Sequence, residues 1–565
     1  MHELLAVTRE RASGWARDFR LRRRVILTLA GAALLALLYG LMPIQEPRPG
    51  FAHVLVSIAG WIAVLFLLAH LRARGGGLPT PQGLAMLFVG GLIVALIVVS
   101  PTGPVHPDEL SHLPVFQFYT QHWAAPSVDD PGVFPSLTVW GYSYFYELNV
   151  GYRLAAWLMG PLAPFVGGEL TAARLFQWLL WVFLTYFCLR SRRLALPLVV
   201  LLLTPQVWYV FAYFNSDAFT LFLAAMLTLV AYPLSGGIQA YVAKGEVDAR
   251  FAVFVICAGL MLVSKADFLP LLPGMLLWIA AIHLPIRLWE LFGFFVGLAL
   301  LGVAVFAADV PRFVLAHVGT YAVACAALTL VAAAASVTAR CLGDAVHRGR
   351  LRRLVIVAAL IVAVASPRLI EDVVHNGVPA AKAARVMAME QSHAIPGLKP
   401  DVIAQGNGVL YTGLAQRGIG LAEMLFSAPY DWFRRSAVTA FGAYGYLTVF
   451  APWWTYYAQM IAVLCLAAVA AAALWRASPE KAPHLLVIAG GTAFLVLLSS
   501  ALHSWTYALQ AQGRYLLPIL FMLGLILAHA SRQLPRRAVA LLVGFAFAAS
   551  VWSFAFTALP AFAMR

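Results

Sequence analysis

The chain has 565 residues, 62% of them hydrophobic and 11% charged, with a formal net charge of +15 and a mean hydropathy of +0.84. That composition excludes a soluble domain, and because a span needs roughly 20 apolar residues to cross about 30 Å of hydrocarbon, length is consumed by membrane crossings. The excess positive charge does not indicate nucleic-acid binding, because no basic stripe with interleaved aromatics lies on a soluble segment.

The basic N-terminal segment (Arg9, Arg11, Arg17, Arg20, Arg22, Arg23 and Arg24) precedes the first apolar run. That run is too long for a signal peptide, and Leu41-Met42-Pro43-Ile44 has no small-residue cleavage pattern, so it reads as a retained helix. Apolar runs follow at 25–42, 51–70, 83–100, 172–190, 194–213, 217–234, 251–264, 268–284, 290–308, 313–338, 354–367, 456–475, 483–502, 515–531 and 537–557. Together they predict an all-α polytopic protein of about 12–15 transmembrane helices. The short runs 251–264 and 268–284 read either as one broken helix or as a re-entrant pair.

With the N-terminus inside, every dense arginine cluster falls on the cytoplasmic side: Arg72/Arg74, Arg190/Arg192/Arg193, Arg348/Arg350/Arg352/Arg353 and Arg532/Arg536/Arg537. Two long polar segments, 101–171 and 368–455, then lie outside, and their aromatics predict helices resting at the interface. The chain divides into a basic segment with two added helices (1–82), a membrane core carrying the first external loop (83–367), the second external segment (368–455) and C-terminal helices (456–565). Cys188, Cys257, Cys325 and Cys465 sit in apolar runs and Cys341 beside a basic loop, which argues against disulfides or a zinc site.

Four clusters carry chemistry, and parity places all of them on the outer face. Asp108 and Glu109 stand as adjacent carboxylates just after a span, where ionisable groups are costly and mark functional sites. Asp108 follows Pro107 and also suits a helix cap; His106, Asp108 and His112 have a loosely metal-like spacing without the HExxH pattern. Asn215 and Asp217 flank the start of another span, with Asn215 or Ser216 a natural cap. Lys265 stands between two short apolar runs as a partner for a phosphate or for Asp217, or as a snorkelling side chain. Arg514, with Gln512 and Tyr515, lies at the mouth of a late span, where a guanidinium suits bidentate phosphate recognition or simple interfacial anchoring. No GK[ST] follows Gly406-Asn407-Gly408, and no GxSxG or SxxK occurs, so nucleotide-loop and serine-hydrolase chemistry are disfavoured.

The runs Pro107 to His112, Asn215 to Asp217, Lys265 with Pro270 and Pro273, Phe441 to Tyr446 and Gln512 to Pro518 together resemble a bacterial family of polytopic membrane proteins with GT-C-like architecture. The resemblance covers residues 85–530. It implies a glycosyltransferase of the inner membrane, taking a sugar from a polyprenyl-phosphate donor on the periplasmic face and transferring it to a glycan, lipid or protein acceptor, without a cofactor and without need of a divalent metal. On that resemblance Asp108 is the base, with Glu109 second. Arg514, Lys265 and Tyr515 hold the donor phosphate, while His106, His112, Asn215, Asp217 and Gln512 support the site. Segment 368–455 is expected to shape the acceptor site. The competing reading is a transporter or flippase of a lipid-linked or anionic substrate, which predicts mid-span charges and paired broken helices. A polymerase or ligase of lipid-linked glycans and a non-catalytic assembly factor are further alternatives.

Overall fold

The computed structural model describes residues 80–564 apart from 102, 104, 191, 233–235, 309–312 and 410. The runs 25–42 and 51–70, with the arginines before and after them, lie outside the described residues.

The described chain is mostly helical, and one two-stranded hairpin is its only sheet. Among the described residues nine helices are long and apolar enough to cross a membrane, and three shorter apolar helices, Asp217–Ala231, Ala249–Leu262 and Gly513–His529, accompany them. The long helices expose apolar side chains: Phe183, Leu301, Val305, Leu328, Val331, Val362, Leu464 and Leu541 face outward. An outer surface of this kind suits hydrocarbon, where only helices and closed barrels satisfy their own backbone. The bundle is an all-α polytopic membrane architecture.

Several segments depart from the sequence reading. The 194–213 run is not one span. Pro197 and Pro205 divide it into Arg192–Leu198, a 3-10 turn Val199–Leu202 and Pro205–Val210, because proline removes a donor and crowds the preceding turn. The runs 251–264 and 268–284 are two separate antiparallel helices, Ala249–Leu262 and Leu271–His283, turned by Ser264 to Pro270. The second polar segment does not begin at 368: the preceding helix continues through Ala345–Asn376, capped by Asp344 at its start and ended by Gly377 at φ +79°. The following helix spans Pro379–His393, and the 436–452 stretch contains a short helix end and the hairpin Ala443–Tyr444/Val449–Phe450.

The two ends of the bundle differ in charge. At one end arginines and lysines tie helix termini together. Arg350 donates to the His283 carbonyl (2.9 Å), Arg353 to those of Val242 (3.0 Å) and Ala243 (2.9 Å), and Lys481 to that of Ala281 (2.8 Å). Arg340 pairs with Glu290 there. The opposite end carries the two polar segments. The top of Ala345–Asn376 grips the first of them through Glu371, which accepts from Arg153 and from the Ala125 N–H, both at 2.9 Å. Asn376 accepts from the Val128 N–H at 2.9 Å, so the layer is fixed to the bundle by buried and half-buried polar contacts.

Candidate functional site

All four sequence clusters meet at this second end. Asp108 occupies a left-handed conformation (φ 57°) just before the helix Glu109–Gln121. Such a conformation is strained for a non-glycine residue. Here it is held by the Ser111 and His112 N–H groups donating to the Asp108 carbonyl (2.8 and 3.0 Å) and by the Asp108 N–H donating to the Tyr446 hydroxyl (3.1 Å). The helix-cap expectation fails, because the carboxylate makes no capping bond. It stands 38% exposed, 3.8 Å from the Arg514 guanidinium.

Glu109 points the opposite way, into the protein. Arg174 grips it at 2.9 and 2.5 Å while also donating to the Ser100 and Pro101 carbonyls at 3.1 Å, and the Phe214 N–H donates to the same carboxylate at 2.8 Å. Burial pushes this carboxyl up, but Arg174 and the backbone donor outweigh it and hold Glu109 below the ordinary carboxylate range. The adjacent acids therefore have separate roles. Glu109 fastens the loop after the first described span to Glu169–Arg190, with its carboxylate engaged inside the protein and not open beside Asp108.

Asp217 begins the helix Asp217–Ala231 and is buried. Asn215 is the cap: its side-chain oxygen accepts from the Asp217 and Ala218 N–H groups (2.8 and 3.0 Å), and its amide donates to the Val210 and Tyr213 carbonyls (both 2.7 Å). Its role is to shape the turn that aims Asp217. Asp217 is paired with Lys265 at 2.7 Å and with Arg514 at 3.6 Å, which meets the expectation that Lys265 finds Asp217. Burial alone would depress the Lys265 ammonium, but Asp217 overcomes it and holds the group above its ordinary value. Asp267 stands 3.8 Å from the same ammonium.

Arg514 lies in the 3-10 turn Gly513–Leu516. It donates to the Tyr213 hydroxyl at 2.9 Å and to the Tyr515 hydroxyl at 3.2 Å, while its buried Nε has no hydrogen-bond partner. The Tyr515 hydroxyl donates to Gln510 at 2.9 Å, and its ring lies 4.9 Å from the Lys265 ammonium and 5.2 Å from the Arg514 guanidinium, a cation–π arrangement for both. Gly513 admits this turn, since a Cβ there would come within 2.0 Å of the Ala440 nitrogen. Gln512 lines a small pocket with Pro107, Gln206, Tyr209, Tyr213 and Arg514.

His106 bonds the Tyr209 hydroxyl at 2.9 Å and stacks on Tyr213 at 5.1 Å, so it braces the tyrosine that receives Arg514. His112 bonds the Tyr152 hydroxyl at 2.6 Å and packs 3.8 Å from the Tyr144 ring. Burial first, then Lys265 and Arg514, hold His112 far below its ordinary value, so it is neutral. Among the described residues no group of three or more histidines, cysteines and acids is arranged to hold a metal ion.

Four residues at this end escaped the sequence reading. Arg174 was signalled by being an arginine inside an apolar run. Glu147 faces Lys265, Asp217, Asp267 and Arg514; one of its oxygens is sealed without a hydrogen-bond partner, and burial pushes the carboxyl up to about 7. Tyr213 and Tyr446 hold Arg514 and Asp108; Tyr446 closes the Phe441 to Tyr446 run, which carried no role for it, and no local signal distinguishes Tyr213 from other aromatics. No protein-family model, no curated protein and no solved structure matches the chain.

Proposed function

We propose that the chain is a glycosyltransferase of GT-C-like architecture in the bacterial inner membrane, moving a sugar from a polyprenyl-phosphate donor to an acceptor on the periplasmic face. The basic end would be cytoplasmic and the N-terminus inside, in keeping with the positive-inside rule. The observation that carries the reading is the partly open Asp108 carboxylate 3.8 Å from Arg514, whose guanidinium shares the buried Asp217 with Lys265.

In the reaction the Asp108 carboxylate takes the proton of the acceptor hydroxyl as that oxygen attacks the anomeric carbon. The bond from that carbon to the donor phosphate breaks with inversion, and its electron pair leaves on the phosphate oxygen. Arg514 and Lys265 neutralise the charge that develops there. Asp217 fixes both cations in advance, and Tyr213 and Tyr515 set the guanidinium plane, so little reorganisation accompanies the charge movement. The unpartnered Nε of Arg514 supports this reading, because a buried N–H without an acceptor favours a ligand oxygen. Proteoliposomes holding the purified chain test the proposal against a panel of polyprenyl-phosphate sugars and nucleotide sugars. Transfer from a lipid-linked donor alone is expected. Movement of the lipid across the bilayer without transfer would replace the enzyme with a flippase.

A further inference from the structure

We infer that a cluster of half-buried aromatic and acidic side chains beside the charged site, Trp140, Tyr142, Tyr144, Tyr507, Glu147 and Glu390, is a binding track for a carbohydrate acceptor. Three distant segments build it. The turn at Thr138 to Tyr142 is closed by the Thr138 N–H donating to the Tyr142 carbonyl (2.8 Å) and the Gly141 N–H donating to that of Thr138 (2.9 Å), with Trp140 near its tip. This turn lies against the end of Pro379–His393. The Ile395 N–H donates to the Val139 carbonyl at 3.1 Å, and a Cβ on Gly141 would meet the Ala394 nitrogen at 2.7 Å and the Glu390 Cα at 2.9 Å. Tyr507, from the third segment, brings its ring within 5.2 Å of Trp140.

The rings form a series that ends at the charged site. Tyr142 lies 6.1 Å from Tyr144, and the Tyr144 ring covers His112, one turn along the helix that begins beside Asp108.

The series keeps hydrogen-bonding capacity open at its half-buried polar tips. The core tyrosines Tyr152, Tyr209, Tyr213, Tyr444 and Tyr456 all bond through their hydroxyls. Among the described residues, no hydrogen bond engages the hydroxyls of Tyr142, Tyr144 or Tyr507, the Trp140 indole N–H or the Glu390 carboxyl, although every one of these side chains is half-buried. One Glu147 oxygen is likewise sealed without a partner. The half-buried tips are open to water or to a bound ligand, whereas the sealed Glu147 oxygen is a polar atom that a ligand would satisfy.

A sugar ring matches this lining. Its C–H faces lie flat on aromatic rings, and its peripheral hydroxyls both donate and accept. Burial pushes Glu390 up to about 7, so the carboxyl is available as donor or acceptor without a fixed charge. A lipid acceptor would leave these polar atoms unpaired. An acceptor chain in the track would present its terminal hydroxyl at the Tyr144 end, toward Asp108. The role as acceptor site rests on the transferase reading, whereas the binding of carbohydrate does not.

The test is binding of the purified full-length chain in detergent micelles to a printed array of neutral and amino oligosaccharides, followed by titration with the strongest binder. The inference expects wild type to bind at least one structure, and the Trp140→Ala/Glu390→Gln variant, with unchanged thermal unfolding, to bind it at least roughly tenfold more weakly, the scale of one lost aromatic anchor. Tyr507→Phe, which keeps the ring, should weaken binding less. Binding without sugar transfer would keep the track and remove the transferase. Transfer to a lipid or protein acceptor with no array signal, or equal binding by wild type and the double variant, would overturn the track and leave the transferase standing.

Discussion

Replacing Asp217 by Asn separates a designed charge cluster from incidental proximity. Asp217 is buried and holds Lys265 at 2.7 Å and Arg514 at 3.6 Å. Removing one partner of a buried pair leaves an uncompensated charge, which costs about 3–5 kcal/mol. Lys265 would retain the more open Asp267 at 3.8 Å, which places Asp217→Asn near about 3 kcal/mol. Lys265→Met leaves Asp217 with Arg514 alone and should cost a similar amount. The double variant removes both charges together, so its loss should fall short of additivity by at least about 2 kcal/mol. Equilibrium unfolding in mixed detergent micelles, followed by tryptophan fluorescence, measures all three. Losses that add to within about 0.5 kcal/mol would show that the two groups do not interact, and the site would lose its organising pair.

Glu109→Gln should lower stability by about 3 kcal/mol through the stranded Arg174, and reduce the yield of folded protein more than the turnover of what folds; protein quantified alongside transfer separates the two. Gly513→Ala should displace Arg514, since its methyl would sit 2.0 Å from the Ala440 nitrogen, and should reduce transfer more than about tenfold, as a misplaced group does; unchanged kinetics would show that the turn yields freely. Glu147, with its carboxyl pushed up to about 7 from 4.5, binds its proton more tightly in the folded chain. Its ionisation therefore removes at most about 3 kcal/mol of stability as pH rises between those values. Glu147→Gln should match wild type near pH 4.5 and exceed it at pH 8, and parallel stability curves would exclude this source.

Much of the bundle was legible because hydrocarbon imposes long apolar runs. The Lys265–Asp217 pair was also within reach, since both residues are charges at helix ends on one face by parity. Pro197 and Pro205 break what composition alone presents as a continuous run, and the Ala345–Asn376 helix outlasts its apolar stretch because Arg368, Glu371 and Asp372 find partners at its end. The different roles of Asp108 and Glu109 were not legible. They depend on Arg174, 65 positions away, and on Tyr446, 338 positions away, and neither separation leaves a local pattern. The cap reading of Asp108 failed in part for the same reason, because the distant Tyr446 hydroxyl joins the local Ser111 and His112 N–H groups in holding its backbone left-handed.

The most direct test of the central claim is sugar transfer from a polyprenyl-phosphate donor panel in membranes carrying wild type or Asp108→Asn at equal expression. The account predicts transfer by wild type and a loss of at least about a hundredfold in the variant, the scale of a general base, with donor binding retained through Arg514 and Lys265. Transfer that survives Asp108→Asn would contradict the assignment of the base.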